Sequence, residues 1–354
     1  MKRVLFICEN EPGNQSTKHR VLDLIAFLKI ADYRLYCGRK TVIGKSRVML
    51  ISVLDYFRIV RDIGTADLLF VQRTSNLFIY LVCAYAKRRG REIVFDVDDA
   101  IFTKRVGGMK NPLYACFDGM ARISDYVFAG SRFIRDYAKR LNENTLLVPT
   151  AVNTDIFDGG GAGGGDAGPN DEFVVGWLGA GEIHLRNLLL LKEPLRALAG
   201  KHKIAFKMVS SLGSRKIRDA FRDVAGLRVD YGRDEWMPLE EIPEAMRGFD
   251  VSVMPLADSP FNRGKCSLKA LESMAMRIPV VASGVGEIGH IIAHGENGYL
   301  ANTAEEWIRC IEDLIASAPK RRAMANNGYA TVSRGYTIPV VAKKIEKALA
   351  IKGS

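Results

Sequence analysis

In the stretch GKCSLKALESMAMRIPVVAS, residues 264–283, a single carboxylate, Glu272, sits inside a helix-like segment that runs through a proline into an apolar strand. Positions 268, 271, 274 and 275 make one apolar helical face, while Lys265, Lys269 and Glu272 lie on or near another. The loop before it, DSPFNRG, carries Pro260, Asn262 and Gly264. A helix that starts near Cys266, Ser267 and Leu268 offers amides without intrahelical partners, which suit phosphate oxygens, and Arg263 or Lys265 adds positive charge. Glu272, about one and a half turns deeper, then lies roughly 5–7 Å away, where it can accept hydrogen bonds from a diol. On helix geometry alone, Lys269 and Glu272 are equally a solvated i, i+3 pair.

Further chemistry-bearing residues fall at the ends of apolar runs. IPVVAS is followed by Gly284 and Gly286, small residues that let a ligand approach the backbone, and HGENGYL (294–300) adds a tight turn. Asp96, Asp98 and Asp99 follow the run EIVF, and Asp258 follows DVSVM. DGGGAGGGDAGPND (158–171) holds seven glycines within 159–168. Its spacing does not match G-x-x-x-x-G-K-[ST], and it reads as a flexible excursion between domains.

These residues must be positioned by alternating strands and helices. In the first half, strands are expected at 3–8, 66–73, 91–97, 124–131 and 145–150, with helices at 19–30, 54–63, 76–89, 112–123 and 131–141. After the glycines, strands are expected at 172–179, 204–210, 227–232, 249–256, 278–283 and 298–301. Helices are expected near 184–199, 214–224, 239–247, 266–276, 285–294 and 304–317. Continuous apolar strands separated by helix-length segments indicate parallel sheets covered on both faces. The expected fold class is α/β, two Rossmann-like parallel-sheet domains facing a cleft at their strands' carboxyl ends. A final amphipathic segment, 338–350, offers Val341, Ile345 and Leu349 at four-residue spacing.

Bulk properties narrow the function classes. A length of 354 residues, nearly half of them apolar, suits two cores. The longest apolar run, Leu77–Ala86, has ten residues, against about twenty needed to span a bilayer. MKRVLFICENEPGNQ reads as an amino-terminal strand and not as a signal peptide. Six scattered cysteines without a C-x-x-C pair read as reduced cytosolic thiols, and the five histidines show no metal-ligand spacing. Residues 1–150 carry a net charge of +10 and the remainder +1. A basic first half fits an anionic small molecule or an anionic membrane surface, or is simply solvated helix surface at 87–91 and 132–140. No zinc finger, aromatic RNA platform or basic zipper is present, so nucleic acid is not expected as a partner.

The run FDVSVMPLADSPFNRGKCSLKALESMAMRIPVVASGVGEIGHIIAHGENGYL (249–300) resembles the donor-nucleotide half of retaining glycosyltransferases with the two-domain GT-B fold. The family is the large one (family 4, or group 1) that includes sucrose synthase and the bacterial mannosyl- and glucosyltransferases of polysaccharide assembly. SDYVFAGSRFIRDY with LLVPTAVNTDIF is similar to the end of that family's acceptor domain and its interdomain crossing, and VFDVDDAIF to a segment common in a bacterial branch. The resemblance implies an acceptor domain at 1–152, a Gly-rich linker at 153–171, a nucleotide-sugar domain at 172–335, and a carboxy-terminal helix, 336–354, that returns to the first domain.

Carried onto this sequence, the resemblance gives Glu272 the ribose hydroxyls, and gives Gly264, Lys265, Cys266, Ser267 and Leu268 the diphosphate and transferred sugar. The family commonly has a glutamate eight residues before the second one, where this chain has Gly264, with Lys265 beside it as in a branch that carries G-K. His184 or Arg186 in VGWLGAGEIHLRNLLLL takes the place of the family's basic phosphate-binding pair, unless either is a surface position. Gly13 and, more weakly, Arg20 fall where the family has a glycine-rich loop near the donor. Asp98 or Asp99 would orient an acceptor hydroxyl or accept its proton, or else cap the turn before AIF. A D-x-D pair can bind Mg²⁺ or Mn²⁺ in glycosyltransferases of the other main fold. This architecture uses helix amides and basic side chains for the same charge, so no essential metal or other cofactor is expected.

The function expected is transfer of a sugar from a nucleotide diphosphate sugar to the hydroxyl of a saccharide or lipid-linked saccharide, in bacterial cell-surface polysaccharide or glycolipid assembly. The expected location is cytoplasmic, peripheral at the inner face of the membrane. Two alternatives stand beside it: a catalytically inactive nucleotide-sugar-binding partner, motivated by Gly264, and a nucleotide-sugar epimerase of similar architecture.

Overall fold

The computed structural model describes residues 2–43, 46–106, 108–158, 172–179, 181–209, 214–233, 235 and 237–349. The glycine-rich segment 159–171 lies outside the described residues. The chain forms two compact units. The first comprises Met1–Ala151, Arg263–Cys266 and Ile338–Ser354, and the second Val152–Asn262 and Ser267–Thr337. Each is a Rossmann-like layer of helices around a parallel sheet, the two-domain α/β architecture of the GT-B kind.

In the first unit the six strands run in the order Thr145–Leu147, Tyr126–Ala129, Glu92–Val97, Leu68–Gln72, Val4–Cys8 and Tyr33–Cys37, all parallel. The strand Val4–Cys8 explains why its sequence is continuously apolar. Leu5 and Ile7 enter one core with Ile59, Ile79 and Phe95, whereas Val4, Phe6 and Cys8 enter another on the opposite face. The carboxy-terminal helix Ile338–Leu349 belongs to that second face, where Val341, Ile345 and Leu349 are buried with Val4, Phe6 and Leu24. Its four-residue spacing puts the three side chains on one stripe.

In the second unit the order is Arg228–Asp230, Ile204–Val209, Phe173–Leu178, Val251–Met254, Val280–Ala282 and Tyr299–Leu300, again all parallel. Phe157, placed in the linker by its sequence position, is fully buried in this unit's core, and Val152 pairs with Thr337. Elements not visible in the sequence pattern include the half-exposed edge strand Tyr33–Cys37, the antiparallel strand pairs Arg39–Ile43 with Ser46–Leu50 and Arg105–Val106 with Met109–Lys110, and the helix Ala318–Gly335. That helix hides its inner face because the face is built from small and polar residues. Gly328 lies where a Cβ would come within 3.1 Å of Met274 Cγ, and Arg321 is buried with its guanidinium donating to Leu314 O at 2.6 Å.

One buried ion pair ties the first unit together. Arg20 sits in a π-helical turn, Lys18–Leu22, inside the first helical segment. Its guanidinium grips Asp96 through Nε, at 3.0 Å, and Nη2, and donates through Nη1 to Val148 O at 2.6 Å. Both side chains are almost wholly enclosed. This corrects the weaker assignment of Arg20 to donor phosphates, because its donors are already spent on Asp96 and the backbone. Burial raises the Asp96 carboxyl to about 6, and Arg20 opposes that rise. A carboxyl raised in the fold favours its protonated form there, so its contribution to stability declines as pH rises from about 4 to about 6. Arg20→Met is therefore expected to lower unfolding free energy at pH 7 by about 3–5 kcal/mol. In denaturant titrations the deficit should shrink below pH 6, where Asp96 is neutral in both proteins and no longer needs the guanidinium.

Candidate functional site

Two constellations carry the candidate residues, one in each unit. In the second unit, the helix Leu268–Ala275 starts at Ser267, whose backbone is left-handed with φ 62°. A non-glycine residue held there costs about 1–3 kcal/mol, and such strain clusters at ligand clamps. Ser267 is buried, and among the described residues its Oγ has no hydrogen-bond partner. Glu272 is 0 % exposed, on a helix whose Leu271, Met274 and Ala275 lie in the core. The solvated Lys269–Glu272 pair is thereby excluded. Lys269 instead sets its ammonium 6.0 Å from the Trp177 ring.

Trp177, which the sequence reading did not single out, is the penultimate residue of the strand Phe173–Leu178 and packs against several of the residues around it. The His184 ring meets it edge-on at 5.7 Å, and the indole covers Gly179 so closely that a Cβ there would fall 1.9 Å from a ring carbon. Asn187, also missed, is buried, and its side-chain oxygen accepts from Ala257 N at 2.9 Å and Asn262 Nδ2 at 3.1 Å. It thereby fixes the loop that leads to Arg263. Its amide nitrogen lies 3.3 Å from His184 Nδ1, whereas Arg186 is exposed. Pro260–Arg263 is a short helix in a stretch that the sequence presents as loop, closed by Asn262 Nδ2 donating to Ala257 O at 2.7 Å. At the end of the strand Val280–Ala282, Ser283 Oγ accepts from Leu256 N at 3.0 Å, and Gly286 takes φ 78°, a conformation glycine adopts freely.

In the first unit, the carboxyl ends of three adjacent strands bring charges together out of water. Arg73 follows the strand Leu68–Gln72 with φ 67°, and its amide donates to Asp96 O at 2.8 Å. Its guanidinium pairs with Glu9 at 2.9 Å and Asp99 at 3.0 Å, with Asp98 at 3.6 Å. Asp99 is shared with Lys265 Nζ at 3.0 Å. Asp98 accepts a short hydrogen bond from Ser16 Oγ, which itself accepts from Gln72 Nε2 at 2.8 Å. Burial would raise the Asp99 carboxyl, yet Lys265 and Arg73 together hold it below the usual range. Burial pushes the Tyr114 hydroxyl up, and that hydroxyl donates to Glu9 at 2.5 Å. Arg73, Glu9 and Tyr114 were missed by sequence reasoning; the only available signal was that Glu9 and Arg73 directly follow apolar strands. Gly13, by contrast, is exposed beside Asn14, whose side chain accepts from Ser16 N at 2.9 Å. Among the described residues, no three His, Cys, Asp or Glu side chains converge as a metal site.

Gly264 belongs to this first-unit cluster. A Cβ built on it would lie 2.3 Å from Ala100 Cβ and 2.9 Å from Ala100 N, and its carbonyl accepts from Ser131 Oγ at 3.0 Å. No side chain fits there, which accounts physically for the missing glutamate. Cys266 and Lys265 are half-buried, and Arg263 is exposed. Gly264→Ala is expected to destabilise the protein by about 1–3 kcal/mol through overpacking, measured by urea titration. An unchanged midpoint would contradict the close approach.

Residues 172–317 match the family model described as glycosyl transferases group 1. No curated protein matches the chain in sequence. Among solved structures, HepE of Anabaena in complex with UDP and glucose is 16% identical, with a TM-score of 0.70 over 99% of this chain and 100% of that one. Sucrose-phosphate synthase from Thermosynechococcus elongatus is 15% identical, with a TM-score of 0.72 over 99% and 98%. A putative UDP-N-acetylglucosamine 2-epimerase from Listeria monocytogenes is 11% identical, with a TM-score of 0.60 over 99% and 96%. The fold is shared along the whole chain, and the second unit carries the match to glycosyl transferases group 1.

Proposed function

We propose that the protein is a glycosyltransferase that moves a sugar from a nucleotide diphosphate sugar to an acceptor hydroxyl, in assembly of a cell-surface polysaccharide or glycolipid. The observation that carries this reading is Glu272: a fully buried carboxylate, on a helix opened by a left-handed serine, within the segment that matches glycosyl transferases group 1. A solved structure of the same fold contains UDP and glucose. In this reading Glu272 takes the ribose hydroxyls, and the amides at Ser267 and Leu268 take phosphate oxygens. Arg263, Lys265 and either His184 or Arg186 add positive charge as the diphosphate leaves. Such preorganised donors stabilise charge that develops in the transition state. Gly13 and Cys266 complete the donor-side positions, whereas the close approach at Gly264 is to Ala100.

The first unit supplies the acceptor chemistry. Asp99, held ionised by Lys265 and Arg73, accepts a hydrogen bond from the acceptor hydroxyl and orients it. Its lowered basicity suits orientation better than proton removal. Asp98, held by Ser16, is the second carboxylate available to the acceptor. Retention of anomeric configuration is part of the proposal through the family resemblance. A nucleotide-sugar-binding protein without transfer is the second reading, favoured by Gly264, where no glutamate fits. Calorimetry with the best-bound nucleotide sugar is expected to show at least tenfold weaker binding for Glu272→Gln, consistent with loss of charged hydrogen bonds worth about 1.5–3 kcal/mol. Equal affinity would remove the ribose assignment, and tight binding without transfer to any saccharide acceptor would favour the binding-only reading.

A further inference from the structure

Two neighbouring helices of the first unit, Val53–Ile63 and Leu77–Arg88, turn large apolar side chains outward. On the first, Val53, Leu54, Phe57 and Val60 are exposed, Leu54 to 68% and Phe57 to 71%. On the second, Leu77, Phe78 and Leu81 are exposed, Phe78 to 65%. The opposite faces of both helices hold Ile59, Ile63, Ile79 and Cys83 in the core, so the outward residues are surplus to packing. The Tyr56 and Phe78 rings meet at 5.7 Å, which makes the two faces one surface. These helices contribute eight of the fifteen large apolar side chains exposed among the described residues, a concentration that scattered surface hydrophobes do not explain.

On these two helices both acidic residues, Asp55 and Asp62, are paired with arginines. Arg58 and Arg61 are matched by Asp55 and Asp62, with the arginines on the outside. At the carboxyl end of the second helix, Arg88 and Arg89 are exposed, and Arg89 lies over the Tyr85 ring at 5.4 Å. An aromatic and aliphatic face that ends in arginines is the pattern of an interfacial helix, whose apolar side sinks about 5–10 Å into the boundary between headgroups and acyl chains. The placement is also purposeful. The helix Leu77–Arg88 begins four residues after Arg73, which pairs with Asp98 and Asp99, so the chain itself keeps the helix start within about 14 Å of Arg73.

We infer that the outer face of helices Val53–Ile63 and Leu77–Arg88 docks onto an anionic phospholipid bilayer, inserting Phe57 and Phe78. Docking sets the carboxylates beside Arg73 at the headgroup layer, where they meet an acceptor sugar carried on a lipid. That last clause rests on the transferase reading, whereas the docking itself does not. No helix among the described residues is long and apolar enough to cross a membrane, so this contact is peripheral.

The test is co-sedimentation of the full chain, without donor or acceptor, with phosphatidylcholine vesicles and with vesicles containing about one third phosphatidylglycerol. Wild type is expected to pellet with the anionic vesicles. The double variant Phe57→Glu/Phe78→Glu should bind them at least tenfold more weakly, and Arg88→Ala/Arg89→Ala should lose about tenfold of the preference for anionic lipid. Both changes are on exposed residues, so thermal unfolding and nucleotide-sugar affinity should match wild type, which separates failure of docking from failure of the donor site. Undiminished binding by the glutamate variant, or no vesicle binding by wild type, overturns the proposal. So does a wild-type dimer in solution that the glutamate variant dissociates, because a second copy would then cover the face.

Discussion

The absence of a side chain at position 264 is the constraint on which the first unit's charged cluster depends. Gly264 approaches Ala100 so closely that even a methyl group would overlap it. With the backbone that near, Ser131 can bond the Gly264 carbonyl and Lys265 can reach Asp99. The ammonium offsets the cost of burying Asp99, which Arg73 alone would have to share with Glu9 and Asp98. A glutamate at 264 would bring one more negative charge into a cluster that already holds three carboxylates, and would find no space. Glycine at 264, where the family that the sequence resembles commonly has glutamate, is therefore matched in both shape and charge to its surroundings.

The second unit solves a different problem. A carboxylate at Glu272 is withdrawn from water on a helix otherwise packed by Leu271, Met274 and Ala275. Its burial excludes a solvated surface position for Glu272, because a charge taken out of water is costly unless it is paired. The surroundings of the helix are held by specific contacts. Ser273 bonds Ser252 at 2.8 Å beneath the helix, Gly328 lets the helix Ala318–Gly335 close against Met274, and Asn187 pins the loop at Ala257. Side chains fixed in this way lose little freedom when a ligand arrives.

Much of this was legible in the sequence, for identifiable reasons. Strands buried on both faces, such as VLFIC and FVVGWL, announce themselves as unbroken apolar runs, and the final helix as a four-residue stripe. Glu272 was visible as a carboxylate among apolar helical positions, although helix geometry alone could not tell whether it faced water. What stayed hidden depends on three-dimensional proximity. Arg73 and Glu9 look like ordinary polar residues after strands, and only the parallel register sets them beside Asp98 and Asp99. Arg20 looked available for phosphate until its pairing with Asp96, seventy-six residues away, was seen. The helix Ala318–Gly335 was hidden because its buried face includes Arg321, Ala325 and Gly328 in place of large apolar residues.

The central claim is that the helix opened by Ser267 and carrying Glu272 is built for a nucleotide diphosphate sugar. The most direct measurement is thermal unfolding of the full chain across a panel of uridine, guanosine and thymidine diphosphate sugars, with the matching free nucleotides and free sugars. A ligand that binds only the folded state raises stability by about 2.7 kcal/mol at a hundredfold excess over Kd. The account predicts a concentration-dependent rise for one nucleotide sugar, a related rise for its free nucleotide, and none for the free sugar. No shift with any nucleotide or nucleotide sugar at saturating concentration would contradict it.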